Sequence, residues 1–342
     1  MPCHTLRRCF ALSVVAVLAL AGCGPATGQS AGLATPAATG TPGGTPVVPV
    51  GTAFPVTITD DAGRQVRIER QPQRIVSAAP SNTEILYALG VDSRVVAVTD
   101  FCDYPPEAKL KPKIGGFRPS LEIIVAQQPD LVLAVRGFPA DALTALEGQQ
   151  IPVVILNPPD FAGVLANIRT VGRMTGAMAA AERVTGEMQR RWNAVAEKGK
   201  AAPSKPRVFF EIDATDPAAV SAAGPGTFID AMITAAGGVN VLATLTPGQQ
   251  YPKISAEALL QANPQLIILG DAPFGQSAEV VARRPGWAAI EAVQNGAIVE
   301  MTDSNIVSRP GPRLVDGLEV VAKAIHPELF GSLPASTGAA RP

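Results

Sequence analysis

The run Ser120-Leu121-Glu122-Ile123-Ile124-Val125-Ala126-Gln127-Gln128-Pro129-Asp130-Leu131-Val132-Leu133 decides the fold. It opens on a hydroxyl residue suited to a helix N-cap and puts Glu122 in the first turn. It then breaks at Pro129 and enters a buried, strand-like run. The same series returns at Ser255-Ala256-Glu257 through Pro264-Gln265-Leu266-Ile267-Ile268, at a constant offset of 135 positions. Around the first copy, strand-like runs lie at Ile75 to Ala78, Val95 to Val98, Leu131 to Val135 and Val153 to Leu156. Around the second they lie at Val208 to Ile212, Leu266 to Leu269 and Ala297 to Met301. Strands alternating with helices imply parallel sheets with crossover helices. A chain of 342 residues exceeds what one hydrophobic core usually spans, so two α/β lobes are expected.

Working outward, Thr57 to Arg64 reads as an N-terminal hairpin, and residues 56–160 as the first lobe. Between the lobes, 161–205 holds a proline-free stretch from Phe161 to Ala202. There Val184, Met188, Trp192 and Val195 recur at helical spacing. The pattern predicts a helix from about Ala177 to Glu197, roughly 30 Å long, which either bridges the lobes or belongs to one of them. Residues 206–330 form the second lobe and 331–342 a disordered tail.

Before the first lobe, Arg7 and Arg8 precede an apolar run from Phe10 to Ala21 that ends in Leu20-Ala21-Gly22-Cys23. The run is too short for a mature membrane span and reads as a secretory signal over 1–22. Its last four residues resemble a lipobox, which implies lipid on Cys23 and anchorage at the extracytoplasmic face of a membrane. The alternative is cleavage near Ala21 with an incidental cysteine. Arg7-Arg8-Cys9-Phe10 is compatible with twin-arginine export or with a plain basic leader. Gly24 to Ala53 carries no charged or aromatic residue, so 23–55 reads as a tether that holds the folded body roughly 30 Å from its anchor.

Lys and Arg total 28 against 29 Asp and Glu, a formal net charge of -1 that gives no global field for nucleic acid. With 2 His and 4 Cys in the chain, no metal site is expected. After the leader, only Cys23, Cys102 and His326 remain among the strongest nucleophiles and metal ligands. His326 reads as a surface residue at a helix end, so a catalytic triad has no natural member. Cys102 reads as a half-buried apolar residue or, less simply, as a ligand contact. An exported enzyme would have to rely on carboxylates such as Asp103 or Glu107, which suit a solvated loop equally well. On the residues alone, Glu122 and Glu257 are either favourable charges at helix N-termini or a symmetric pair matched to a partner with its own twofold axis.

Three runs carry a family resemblance: Arg74-Ile75-Val76-Ser77-Ala78-Ala79-Pro80-Ser81-Asn82-Thr83-Glu84, Asp103-Tyr104-Pro105-Pro106-Glu107-Ala108, and Ser120 through Val132. Together they resemble the helical-backbone (class III) periplasmic binding proteins of ABC importers, which carry cobalamin, ferric siderophores or haem, and most of all the cobalamin-binding branch. The resemblance implies two Rossmann-like lobes with parallel sheets joined by one long rigid helix. It also implies a ligand held between the lobes without covalent chemistry or cofactor, and a monomer. The expected partner is an ABC permease dimer with its ATPase subunits, docked through Glu122 and Glu257. A receptor that signals to another membrane partner would need the same fold.

By similarity, the ligand contacts are Ser81, Asn82, Tyr104, Gly116, Phe117, Arg136, Phe138, Gly226, Tyr251 and Arg309. Aromatic rings and neutral donors suit a corrin's apolar face and amide arms. Where cobalamin-binding relatives place tryptophans, this chain has Gly116 or Phe117, Val135 and Tyr251. Convergence of Arg118, Arg136 and Arg309 would instead favour an anionic siderophore. Tyr104 or Tyr251 could serve haem as an axial ligand.

Overall fold

The computed structural model describes residues 53–333; the leader, Cys23, nearly all of the tether and the tail beyond Leu333 lie outside the described residues. The chain enters through an antiparallel hairpin, β1 (Val56–Thr59) and β2 (Gln65–Ile68), with Val56 opposite Ile68 and Thr59 opposite Gln65. Its turn is organised by Asp60, whose Oδ1 accepts the amides of Ala62 and Arg64 at 3.0 and 2.9 Å.

The first lobe follows as β3 (Ile75–Ser77), α1 (Pro80–Ala88), β4 (Val95–Val98), α2 (Leu121–Ala126), β5 (Leu131–Ala134), α3 (Ala140–Gly148) and β6 (Val153–Ile155). The strands pair in the order β4-β3-β5-β6, all parallel. β3, β5 and β6 are buried along their whole length, as expected where helices cover both faces of a sheet. The two-residue period sorts β5 cleanly: Leu131 and Leu133 enter one core, Val132 and Ala134 the other. Strand β6 is an edge, and the hairpin covers it. Asp61 N donates to Ile155 O at 3.0 Å, Ile155 N to Asp60 Oδ2 at 3.1 Å, and Arg64 Nη2 to Val153 O at 2.8 Å.

Two helices lead out of this lobe. Helix α4 (Phe161–Thr175) starts at Asp160, whose Oδ1 caps Gly163 N at 2.8 Å, and stops at Gly176, which takes the left-handed φ of 74°. Helix α5 (Met178–Lys200) begins and ends within a few residues of expectation and measures about 35 Å. Its buried side holds Ala181, Thr185, Met188, Val195 and Gly199, while Val184 and Trp192 are only half-buried; Trp192 stacks on Phe161 at 4.1 Å between centroids. Helix α5 packs on α4 at one side and on the second lobe at the other, so a single apolar cluster runs from Ile58 through Met188 to Ile325.

The second lobe comprises β7 (Arg207–Asp213), β8 (Val220–Ala222), α6 (Phe228–Ala235), β9 (Val239–Asn240), α7 (Leu242–Leu245), β10 (Lys253–Ile254), α8 (Ala256–Ala262), β11 (Leu266–Leu269), α9 (Ala278–Ala282), α10 (Glu291–Gln294), β12 (Ile298–Glu300), α11 (Asn305–Ser308), α12 (Leu314–Ile325) and α13 (Pro327–Phe330). Its sheet is mixed rather than wholly parallel. The order is β10-β8-β7-β11-β12, β9 also pairs with β7, and both β7-β8 and β8-β10 are antiparallel. The link from Asp213 to Val220 is too short for a crossover helix, so β8 must return antiparallel. Among the described residues, no helix is long and apolar enough to cross a membrane.

Candidate functional site

In open parallel sheets, ligands gather beyond the carboxyl ends of the strands. The chain leaving β3 supplies Ala79, Pro80 and Ser81; that leaving β5 supplies Val135 and Arg136; that leaving β6 supplies Leu156 to Pro159. Facing them from the other lobe are Gly226 to Phe228, Gln250, Tyr251 and Ser308 to Pro310, and the two walls enclose a cleft of about 530 Å³. Gly226, at a left-handed φ of 77°, is held by Asp230 and Gln250. Its N donates to Asp230 Oδ2 at 3.0 Å, and its carbonyl accepts Gln250 Nε2 at 2.9 Å.

Of the ten expected ligand residues, the cleft wall contains Ser81, Arg136, Gly226, Tyr251 and Arg309. Tyr251 is 64% exposed. Arg136 is exposed and has no ion-pair partner among the described residues. Asn82 is 1% exposed and spends its amide on Ala134 O at 3.1 Å, tying α1 to the end of β5, so the expected ligand contact is corrected to an internal one. Phe138 packs half-buried against the outer core of the first lobe. Phe117 is 89% exposed and lies 4.7 Å from Phe101 between ring centroids, outside the cleft wall. Gly116 lies beneath Phe101, where an added Cβ would sit 3.3 Å from that ring. Arg118 is exposed and off the cleft wall, so the three arginines do not converge.

Arg309, on the cleft wall, also has its guanidinium in an ionic latch between the lobes. Nη1 reaches Asp103 Oδ1 at 2.6 Å and Glu84 Oε1 at 3.1 Å, and Nη2 reaches Phe101 O at 3.3 Å. Arg313 joins it, donating to Glu84 Oε2 and Oε1 at 3.1 and 2.9 Å and to Asp303 Oδ2 at 2.9 Å. The Arg313 guanidinium lies 3.9 Å over the Tyr104 ring. Glu84 therefore receives both arginines while its side chain is 2% exposed. Burial pushes the Asp103 carboxyl up, but the Arg309 hydrogen bond wins and holds it below the usual carboxylate range. Burial would lower both arginines; the carboxylates raise them instead, so both guanidinium groups stay charged. Sequence reasoning missed Glu84, Asp303 and Arg313. The only signal was a charge, Glu84, inside an apolar helix, and its partners lie more than two hundred positions away.

A second cavity, of about 310 Å³, opens from the cleft into the second lobe. Thr227, Phe228, Tyr251 and Ser308 line both spaces. Near its back wall, Glu211 and Arg284 form a buried bidentate pair at 2.6 and 2.7 Å, with Arg284 lying 4.5 Å over Trp287. Asp271 sits beside them with Oδ2 accepting Ala214 N at 2.9 Å and Oδ1 buried without a partner. Burial, and then the Glu211 charge, push its pKa up to about 6.

Glu122 and Glu257 are the second residues of α2 and α8, both exposed and without ion-pair partners among the described residues. Each helix is capped by its serine at 3.3 Å, Ser120 to Ile123 N and Ser255 to Ala258 N, and each leads into an inner strand, β5 or β11. The Glu257 carboxyl is held below its ordinary range by its own amide and the Ser255 hydroxyl.

The residues once open to catalytic readings have other duties. His326 is 1% exposed, contrary to the surface expectation, because the end of α12 buries it; its Nδ1 lies 2.8 Å from Glu328 Oε1. Cys102 is fully rather than half-buried, its sulfur 3.1 Å from the hydroxyls of Thr83 and Thr99. Among the described residues, no three His, Cys, Asp or Glu side chains gather as a metal site would require.

Residues 75–304 match the family model for the periplasmic binding protein. The chain is 34% identical over 283 residues to the uncharacterized ABC transporter substrate-binding lipoprotein YvrC of Bacillus subtilis (strain 168), covering 81% of this chain and 87% of that one. It is 31% identical over 282 residues to a protein of Halobacterium salinarum (strain ATCC 29341 / DSM 671 / R1) named cobalamin-binding protein, covering 80% of this chain and 75% of that one. Among solved structures, the apo periplasmic heme-binding protein RhuT from Roseiflexus sp. RS-1 superposes with a TM-score of 0.66 at 29% identity, over 74% of this chain and 98% of that one. With two lobes on a connecting helix, a cleft at the strand ends and these matches, the chain belongs to the periplasmic binding protein family, whose members are substrate-binding transport proteins rather than enzymes.

Proposed function

We propose that this protein captures a corrinoid between its two lobes and delivers it to an ABC permease in the same membrane, to which lipid on Cys23 tethers it. The observation that carries the reading is the cleft itself. It is large, walled by Tyr251, Phe228, Leu156 and four prolines, and has neutral donors among its polar groups. Arg309 is neutralised by Glu84 and Asp103 and Arg118 stands off the wall, which leaves Arg136 as the unpaired cation of the cleft wall among the described residues. An anionic siderophore would call for several. The similarity to the halobacterial cobalamin-binding protein supports the same ligand class. The one observation favouring haem is an exposed Tyr251 phenol lining the same cleft as Arg136, the pair that could serve an iron atom and a carboxylate arm, in keeping with the likeness to RhuT.

Delivery rests on Glu122 and Glu257 as equivalent acids presented by the two lobes to a symmetric permease. Glu122→Gln and Glu257→Gln together should leave corrinoid affinity unchanged and cut uptake of labelled cyanocobalamin into vesicles carrying the cognate permease. Full uptake by the double variant would remove the docking role. No uptake by the unaltered protein, with binding intact, would remove the delivery role.

A further inference from the structure

The side cavity in the second lobe borders the cleft along Thr227, Phe228, Tyr251 and Ser308. Its walls are apolar: Phe210 and Ile212 from the end of β7, Ile229 from α6, and Val307 from α11. Gly270 forms part of its lining and packs closely on Phe210, whose ring an added Cβ would meet at 2.6 Å. At the rim, Phe274 is 82% exposed, an apolar ring left facing water. The chamber shares Thr227, Phe228, Tyr251 and Ser308 with the cleft, and Arg136, without an ion-pair partner among the described residues, stands on the cleft wall of the opposite lobe. An apolar chamber bordering a cleft that carries, among the described residues, one free cation fits a ligand whose apolar aromatic group hangs on an anionic arm.

We infer that the chamber receives the aromatic base of a complete corrinoid and that Arg136 pairs with the phosphodiester on which that base is carried. This rests on the corrinoid reading of the cleft. A planar bicyclic base buries apolar area against Phe210, Ile229 and Val307, and a guanidinium is the side chain best matched to a phosphate. The two contacts together make the protein prefer a corrinoid that carries its nucleotide arm over one that lacks it.

Calorimetric titration of the whole protein with cyanocobalamin and with dicyanocobinamide, which has the macrocycle but neither base nor phosphodiester, tests the assignment. The expected result is cobalamin affinity at least about tenfold above that for cobinamide. Ile212→Trp, which fills the chamber, and Arg136→Gln, at an exposed position, should each narrow the gap by weakening cobalamin more than cobinamide. Retained cobinamide binding also reports that the variants fold. Equal affinity of the unaltered protein for both corrinoids, or equal loss of both in the Arg136→Gln variant, would overturn the assignment. Tight binding of haem with neither corrinoid bound would instead overturn the corrinoid reading itself, and the assignment with it.

Discussion

Glu84 shows how one side chain can hold two lobes at a fixed spacing. It sits on α1, buried, and takes hydrogen bonds from Arg309 and Arg313 of the opposite lobe. Removing one partner of a buried pair leaves the others uncompensated, at a cost of about 3 to 5 kcal/mol in well-buried cases. Glu84→Gln should therefore lower unfolding free energy by about 3 kcal/mol in urea titration and speed ligand dissociation, since the lobes lose their latch. A change under about 0.5 kcal/mol would mean that the network is solvated. Asp271 makes the opposite case. Its folded pKa of about 6 lies above the ordinary carboxylate value because burial and Glu211 oppose its charge. Between about pH 4 and 6 the folded protein keeps a proton that the unfolded chain has released, so this group's contribution to stability falls as pH rises through that window. Asp271→Asn removes the dependence. Relative to the unaltered protein it should gain on the order of 1 kcal/mol from pH 4 to pH 7, read by urea unfolding at each pH. A constant difference across the series would contradict the raised pKa.

At the scale of elements, α5 ties the lobes together because it fits both closely. Gly172 of α4 faces Ala181 of α5, where an added Cβ would meet the Ala181 methyl. At the far end, Gly199 abuts the backbone at Ala235 to Gly237, so Gly199→Ala would drive a methyl into carbonyl and amide atoms that cannot rotate away. Overpacking of this kind costs about 1 to 3 kcal/mol, and a matching drop in urea midpoint with unchanged slope is expected. An unaffected midpoint would show that α5 can shift without cost. The helix was legible because period and length both spoke for it, as were the parallel strands, whose continuous apolar runs mark burial on both faces. The antiparallel β8 and β10 were not. Val220–Ala222 and Lys253–Ile254 are too short to show a period, and only pairing in space reveals them.

At the scale of the molecule, the repeat placed Glu122 and Glu257 at matching positions, and local sequence suffices for that, since cap, helix and strand all lie within about fourteen positions. The cleft was legible in outline, because loops after parallel strands line it wherever they occur. What sequence could not supply was which side chains spend themselves on each other. Asn82 turns inward to Ala134, Arg309 and Tyr104 serve the latch, and the chamber behind Tyr251 gathers residues from β7, α6 and α11. The latch, the continuous core and α5 together describe a receptor whose cleft is set before the ligand arrives, so closure on binding should be small and affinity should reflect fit. Calorimetric titration of the unaltered protein with cyanocobalamin, haem and a ferric hydroxamate under one set of conditions tests this most directly. Submicromolar binding of cobalamin with at least about a hundredfold weaker binding of the other two is the predicted result; tight binding of haem or the hydroxamate with no heat from cobalamin would contradict it.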